Sequence, residues 1–214
     1  MKIFKILNSD QITFLKDEIE KCTWKNGTSS AEGTAKLIKR NLQISSSDPK
    51  FSNILKTIIQ VQEDVTVKTY TYIKELIDPR IAKYSEGDEY DWHVDTALLN
   101  SRRTDLSFTI FLNDYSEYEG GQLKILNNSQ EFIINGNAGQ MVVYPSGLMH
   151  KVNKVELGQR LVIVGWINSH VKIEEHRLRL FEISTEISNL RQQHGIISEN
   201  LNKIYFQLIR DYCN

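Results

Sequence analysis

The chain has 214 residues, with 26 Lys and Arg against 27 Asp and Glu, a formal net charge of −1. That length bounds it to one large domain or one domain with an appendage, and no basic excess points to nucleic acid. The longest apolar run, Leu161 to Ile167, is far too short to span a membrane, and Met1-Lys-Ile-Phe-Lys5 lacks a signal-peptide core. Cys22 and Cys213 flank no motif, which argues against a disulfide framework and for a reducing compartment. The expectation is a soluble, cytoplasmic protein with neither nucleic-acid nor membrane partners.

Residues 1–6 read as a short strand. Asn8 or Ser9 then caps a helix whose apolar face is Ile12, Leu15, Ile19 and Cys22. The glycine-rich, small polar stretch 25–34 reads as a loop, either passive or a lid over a site. Residues 35–44 suit a strand, and Asp48-Pro49 suits a helix start before the stripe Phe51, Ile54, Leu55 and Ile58. Both helices are expected to pack outside a sheet.

From Val65 to Ile167 the pattern is short β-rich runs broken by turn signals such as Asn127-Asn128, Asn135-Gly136 and Leu157-Gly158. Residues 65–72, 80–85, 90–96, 106–112, 122–126, 131–134, 141–144, 150–155 and 161–167 are the candidate strands. Many short strands with irregular turns suggest a double-sheet jelly roll whose mouth holds a ligand. After Ser169 the helical period returns, with one stripe from Ile173 to Leu190, another from Leu201 to Tyr212, and a break at His194-Gly195. The fold class is mainly β with flanking helices, α+β: a cupin-like double-stranded β-helix with N-terminal helices. The domain division is 1–169 for the jelly roll and 170–214 for a helical extension, packed on the barrel or on a second copy in a homo-oligomer.

The chemistry is organised around Tyr84-Ser85-Glu86-Gly87-Asp88-Glu89-Tyr90-Asp91-Trp92-His93-Val94-Asp95. On a strand, His93 and Asp95 would point to one face. His-x-Asp alone is common by chance. His150, in a second strand setting, and Arg160 ten residues later change that reading. Two histidines and one carboxylate with positions left open form the facial arrangement of non-haem Fe(II) oxygenases. A buried guanidinium suits the far carboxylate of a chelating 2-oxo acid.

Position by position, Tyr84-x-x-Gly87-x-x-Tyr90-x-x-His93-x-Asp95 resembles the prolyl 4-hydroxylase motif. Arg103 to Leu112, Glu119-Gly-Gly-Gln122, Gly139 to Pro145, His150-x-Val152 and Gly158-x-Arg160 add further matches. Trp24-x-x-Gly27-Thr28, Gly33 and Lys39-Arg-Asn-Leu-Gln43 extend the likeness upstream. The chain is thereby identified as a member of the Fe(II)/2-oxoglutarate-dependent dioxygenases, resembling the bacterial PKHD-type hydroxylases over nearly its whole length. The resemblance implies Fe(II) on His93, Asp95 and His150, and 2-oxoglutarate as co-substrate with Arg160 and Tyr84 on it. It also implies O2, ascorbate as a reductant, and hydroxylation of a prolyl or related residue in a protein or peptide, with succinate and CO2 released. No catalytic residue beyond the metal and co-substrate ligands is expected.

Three further residues are candidates for substrate contact, each with a structural alternative. Tyr90 lines the channel or is a buried structural tyrosine, and Trp166 walls the pocket or belongs to the core. Arg103 meets a substrate carboxylate or Asp105. Asp95 favours hydroxylation over halogenation, since iron halogenases carry a small residue there. Trp166 stands where base demethylases carry a second arginine, and a zinc hydrolase would need a His-Glu-x-x-His helix. Hydroxylation of a free small molecule and a non-catalytic cupin-like binding module are the remaining alternatives.

Overall fold

A computed structural model describes residues 1–30 and 35–213. In chain order, β1 (Lys2–Lys5) and α1 (Ser9–Glu20) are followed by β2 (Lys25–Asn26) and a 3-10 turn (Gly27–Ser30). Next come α2 (Ala35–Ile38), β3 (Lys39–Arg40), β4 (Leu42–Ser45), α3 (Ser52–Gln62) and α4 (Val65–Thr71). The central strands are β5 (Ile73–Ser85), β6 (Glu89–His93), β7 (Leu98–Leu99), β8 (Arg102–Arg103), β9 (Leu106–Phe111) and β10 (Tyr118–Gly120). β11 (Leu123–Asn127), β12 (Gln130–Ile134), β13 (Gln140–Pro145), β14 (Met149–Val152) and β15 (Val155–Ser169) complete them, before α5 (Glu174–His194) and α6 (Glu199–Tyr212).

The large sheet runs β1-β13-β9-β15-β5-β4-β2, and the small sheet β12-β11-β14-β6-β3. The ladders between these strands are antiparallel. Alternation along β5 and β15 divides the protein into two cores. Ile81 and Ile163 face outward onto Leu15 and Ile19 of α1, Phe51 just before α3, and Ile54 and Ile58 of α3, while Ala82, Tyr84 and Val162 face the small sheet. This is a double-stranded β-helix with helices on one outer face. Among the described residues, no helix is long and apolar enough to cross a membrane.

Several local expectations change. Val65–Tyr72 alternates β-branched and aromatic residues, yet forms α4. Asp64 accepts from the Thr66 and Val67 amides, Val67, Tyr70 and Thr71 are buried at helical spacing, and Tyr72 ends the helix in the left-handed region. Tertiary burial and a good N-cap override the period-two pattern. Asp64→Ala should therefore lower stability by about 1 kcal/mol, seen as a lower urea midpoint at unchanged slope.

The single strand expected over 35–44 is instead a helical turn followed by two short strands. β3 pairs with β6 of the small sheet and β4 with β5 of the large one, so the chain changes sheets at Asn41. Asp48-Pro49 forms the turn before α3, not its first residues. Of the loop expected over 25–34, residues 25–30 form β2 and the 3-10 turn. Residues 31–34, Gly33 among them, lie outside the described residues.

At the other end, Arg177 is buried and donates to the Val171 and Lys172 carbonyls, which fixes the start of α5. Tyr72 and Tyr205 join by their hydroxyls at 2.7 Å, tying α6 to the body of the protein. The expected break between the helices falls at Gly195, with φ +65°.

Candidate active site

His93 closes β6 and pairs directly with His150 of β14, so the small sheet carries both imidazoles side by side. Their ring centroids are 4.2 Å apart. His93 Nδ1 lies 2.7 Å from the Asp91 carbonyl and His150 Nδ1 2.9 Å from the Leu148 carbonyl. A carbonyl can only accept, so Nδ1 carries the proton on each ring and Nε2 keeps its lone pair. Burial first, and His150 second, push His93 down to about 4, so it is neutral at physiological pH.

Asp95 departs from the expected strand setting. β6 ends at His93, and Asp95 lies two residues beyond it, reaching across to the large sheet. There Ser107 of β9 donates to Asp95 Oδ2 at 2.5 Å, and the Ser146 hydroxyl lies 2.9 Å from that of Ser107. Asp95 Oδ2 is 3.6 Å from His150 Nε2. One ligand atom from each of His93, Asp95 and His150 falls within 4.8 Å of the others. Two imidazole nitrogens and one hydrogen-bonded carboxylate oxygen, all on one side of a cavity, suit a divalent iron with open positions.

That cavity has a volume of about 300 Å³ and lies between the two sheets. Arg160 of β15 enters it from the large sheet, opposite Tyr84 of β5. Its side chain is only 1% exposed, its guanidinium sits 5.3 Å from the Tyr84 ring and 5.4 Å from that of Phe111, and Nε has no partner. A buried cation with an unmet donor fits an arriving carboxylate. Gly121 makes room for it, because a Cβ there would lie 3.2 Å from Arg160 Cδ. The pairing of β10 with β15 shifts register between Glu119 and Gly120, a bulge beside that approach. Burial pushes the Tyr84 hydroxyl up to about 12, so it stays a proton donor.

Of the substrate candidates, Tyr90 lines the cavity and stacks on His93 with centroids 3.5 Å apart, and Trp166 lines it from β15. Arg103 does not line it. Its guanidinium forks Asp105 at 3.1 and 3.2 Å and donates to the Ser169 carbonyl, so of the two alternatives it takes Asp105. Polar residues given no role from the sequence also face the cavity, among them Lys39, Gln43, Arg80, Ser107 and Thr109. Ser107 and Thr109 carry a signal in Leu106-Ser-Phe-Thr-Ile-Phe111, where they are the polar positions of a period-two strand. Lys39 stands in the Lys39-Arg-Asn-Leu-Gln43 match without a role attached to it, and Arg80 carries no signal, since a charged residue in an alternating strand is ordinary.

Comparison with known proteins agrees with this geometry. The family described as the 2OG-Fe(II) oxygenase superfamily matches residues 79–168. A PKHD-type hydroxylase of Prochlorococcus marinus (strain MIT 9301) is 34% identical, covering 98% of this chain and 97% of its own length. In fold, the chain is similar to a Pseudomonas putida prolyl-4-hydroxylase (TM-score 0.57, 19% identity, 78% of this chain and 91% of that one). It is also similar to a Trichoplax adhaerens prolyl hydroxylase bound to a hypoxia inducible factor peptide fragment (TM-score 0.61, 15% identity, 78% and 83%). The chain belongs to the PKHD-type hydroxylases, oxygenases that use Fe(II) and 2-oxoglutarate.

Proposed function

We propose that the protein hydroxylates a prolyl or related residue of a polypeptide, with residues 1–169 as the catalytic unit and 170–214 as an appended helical hairpin. His93, Asp95 and His150 are the iron ligands, and Arg160 with Tyr84 holds the far carboxylate of 2-oxoglutarate. The observation that carries this reading is the convergence of the three ligand atoms and the buried Arg160 on one cavity. Fe(II), 2-oxoglutarate and O2 together supply an oxidant that turns an unactivated C–H into C–OH, with succinate and CO2 as co-products.

The chain's own residues set the conditions for that chemistry. The Asp91 and Leu148 carbonyls hold both imidazole rings with Nε2 forward. Tyr90 fixes the plane of His93 by stacking on it. Ser107 orients one oxygen of Asp95. Arg160, between two aromatic rings, selects a carboxylate by its fork and by its depth, and burial keeps water from competing for it.

Ser107→Ala should weaken Fe(II) binding by roughly 10- to 100-fold, the usual effect of losing a group that orients a ligand, measured by metal titration. Two cysteines outside any bonded pair fit a reducing cytoplasm. Exposed Ile196, Ile197, Ile204 and Phe206 on the C-terminal hairpin fit self-association. Incubating the iron-loaded protein with 2-oxoglutarate, O2 and a panel of prolyl and lysyl peptides should raise succinate above the peptide-free background. If only a free small molecule raises it, the enzyme acts outside the peptidyl class.

A further inference from the structure

Three residues stand in a row across the large sheet. Arg160 of β15 pairs with Tyr84 of β5. On the other side of β5, Leu42 of β4 pairs with Lys83, which sets Asn41, one residue before that ladder, opposite Tyr84. Directly opposite residues on neighbouring strands present their side chains to one face, within reach of each other. Arg160 and Tyr84 line the cavity and Asn41 does not, so the reach of Asn41 into the site runs through Tyr84.

The fold does not account for the Asn41 side chain. The residue is 5% exposed, and neither Oδ1 nor Nδ2 meets a partner at hydrogen-bond geometry. The change of sheet at this point is secured by the backbone: the Gly27 amide donates to the Asn41 carbonyl at 2.8 Å, and Asn26 pairs with Leu42. A buried primary amide without a partner costs stability that an apolar side chain of similar shape would not. Unmet polar groups of this kind are kept where function uses them.

The two ends of the amide are distinguished by what they face. A Cβ on Gly27 would overlap Asn41 Oδ1 and lie 2.8 Å from Cγ, so the carbonyl end lies against Gly27, where only a hydrogen is accommodated. The amide end is turned to the Tyr84 hydroxyl. Burial raises that hydroxyl, while Arg160 and then Asn41 pull against the rise. An uncharged neighbour lowers a phenol by donating to its oxygen, as Nδ2 can and Oδ1 cannot. A phenol has one proton. With Nδ2 directed at its oxygen, Tyr84 keeps that proton for an acceptor on the cavity side, beside Arg160.

We propose that Asn41 is a positioning residue for the co-substrate: its Nδ2 donates to the Tyr84 hydroxyl oxygen as Tyr84 gives its proton to the far carboxylate of 2-oxoglutarate. This rests on the reading of Arg160 and Tyr84 given above and extends it to a residue outside the cavity. Amide to phenol to carboxylate is a chain of two hydrogen bonds, each of which strengthens the other. Asn41 therefore acts on the far end of the co-substrate and not on its chelating end.

The test is equilibrium binding, by calorimetry, of 2-oxoglutarate and of 2-oxopentanoate to the full chain loaded with redox-inert Zn(II). 2-Oxopentanoate keeps the chelating end and lacks the far carboxylate. The unsubstituted protein should bind 2-oxoglutarate about tenfold or more tightly than 2-oxopentanoate. N41L should weaken 2-oxoglutarate by about three- to tenfold and leave 2-oxopentanoate within about twofold, whereas a merely structural role would weaken both acids alike. In a Y84F background, N41L should change 2-oxoglutarate binding by no more than about twofold, because the group it acts through is gone. If N41L overpacks against Gly27 and does not fold, N41A takes its place in every comparison. Undiminished 2-oxoglutarate binding in N41L, an equal loss for the two acids, or the full loss repeated in Y84F would overturn the role of Asn41 and leave Arg160 and Tyr84 in place. Equal binding of the two acids by the unsubstituted protein would instead remove the Arg160–Tyr84 reading, and this inference with it.

Discussion

His150→Ala should leave the protein folded but without stoichiometric iron. His150 is one of the three proposed ligands, and its Nε2 is the one set 3.6 Å from Asp95. Groups that merely orient a ligand contribute 10- to 100-fold in metal affinity, so removing the ligand itself should cost on the order of 100-fold or more. The anaerobic protein with Fe(II) and 2-oxoglutarate should then show no visible charge-transfer absorption, and succinate formation should stop. His176→Ala is the control, because that ring stacks on Tyr212 at 3.8 Å and does not line the cavity. An H150A protein that retains one iron per chain would remove His150 from the ligand set.

Arg160→Ala should separate the two binding functions of the cavity. Losing one partner of a buried charge pair costs roughly 2–5 kcal/mol, part of it the penalty of leaving the other charge unpaired. The 2-oxoglutarate requirement should rise by about 30-fold at the low end and far more at the high end. Iron titration should change little, since Arg160 makes no contact with the His–Asp–His cluster. Arg160→Lys should fall between, because an ammonium keeps the charge but not the fork. An unchanged co-substrate dependence in Arg160→Ala would dismiss the role.

What could be read before the structure follows the physics of each signal. His93, Asp95, His150 and Arg160 stand in a spacing that one chemistry explains, and the structure brings all four to one cavity. The setting of Asp95 was less legible. An alternating run continues past His93, but the strand stops there because the carboxylate turns to Ser107 on the opposite sheet. Only a tertiary contact specifies that. Val65–Tyr72 misleads for the complementary reason: its composition favours a strand, while Asp64 and the burial of Val67, Tyr70 and Thr71 favour a helix. Arg80 and Trp166 share an end of the cavity through a bulge whose register depends on two strands about 85 residues apart, beyond any local pattern.

The central claim is that this cavity couples 2-oxoglutarate to oxidation of a second molecule. The direct measurement is to follow succinate and product together in one reaction with Fe(II), O2 and the best peptide of the panel. Succinate and a product heavier by one oxygen atom should form in equal amounts, and both should be lost in His150→Ala. Hydroxylated product without succinate, or succinate unaffected by His150→Ala, would contradict the account.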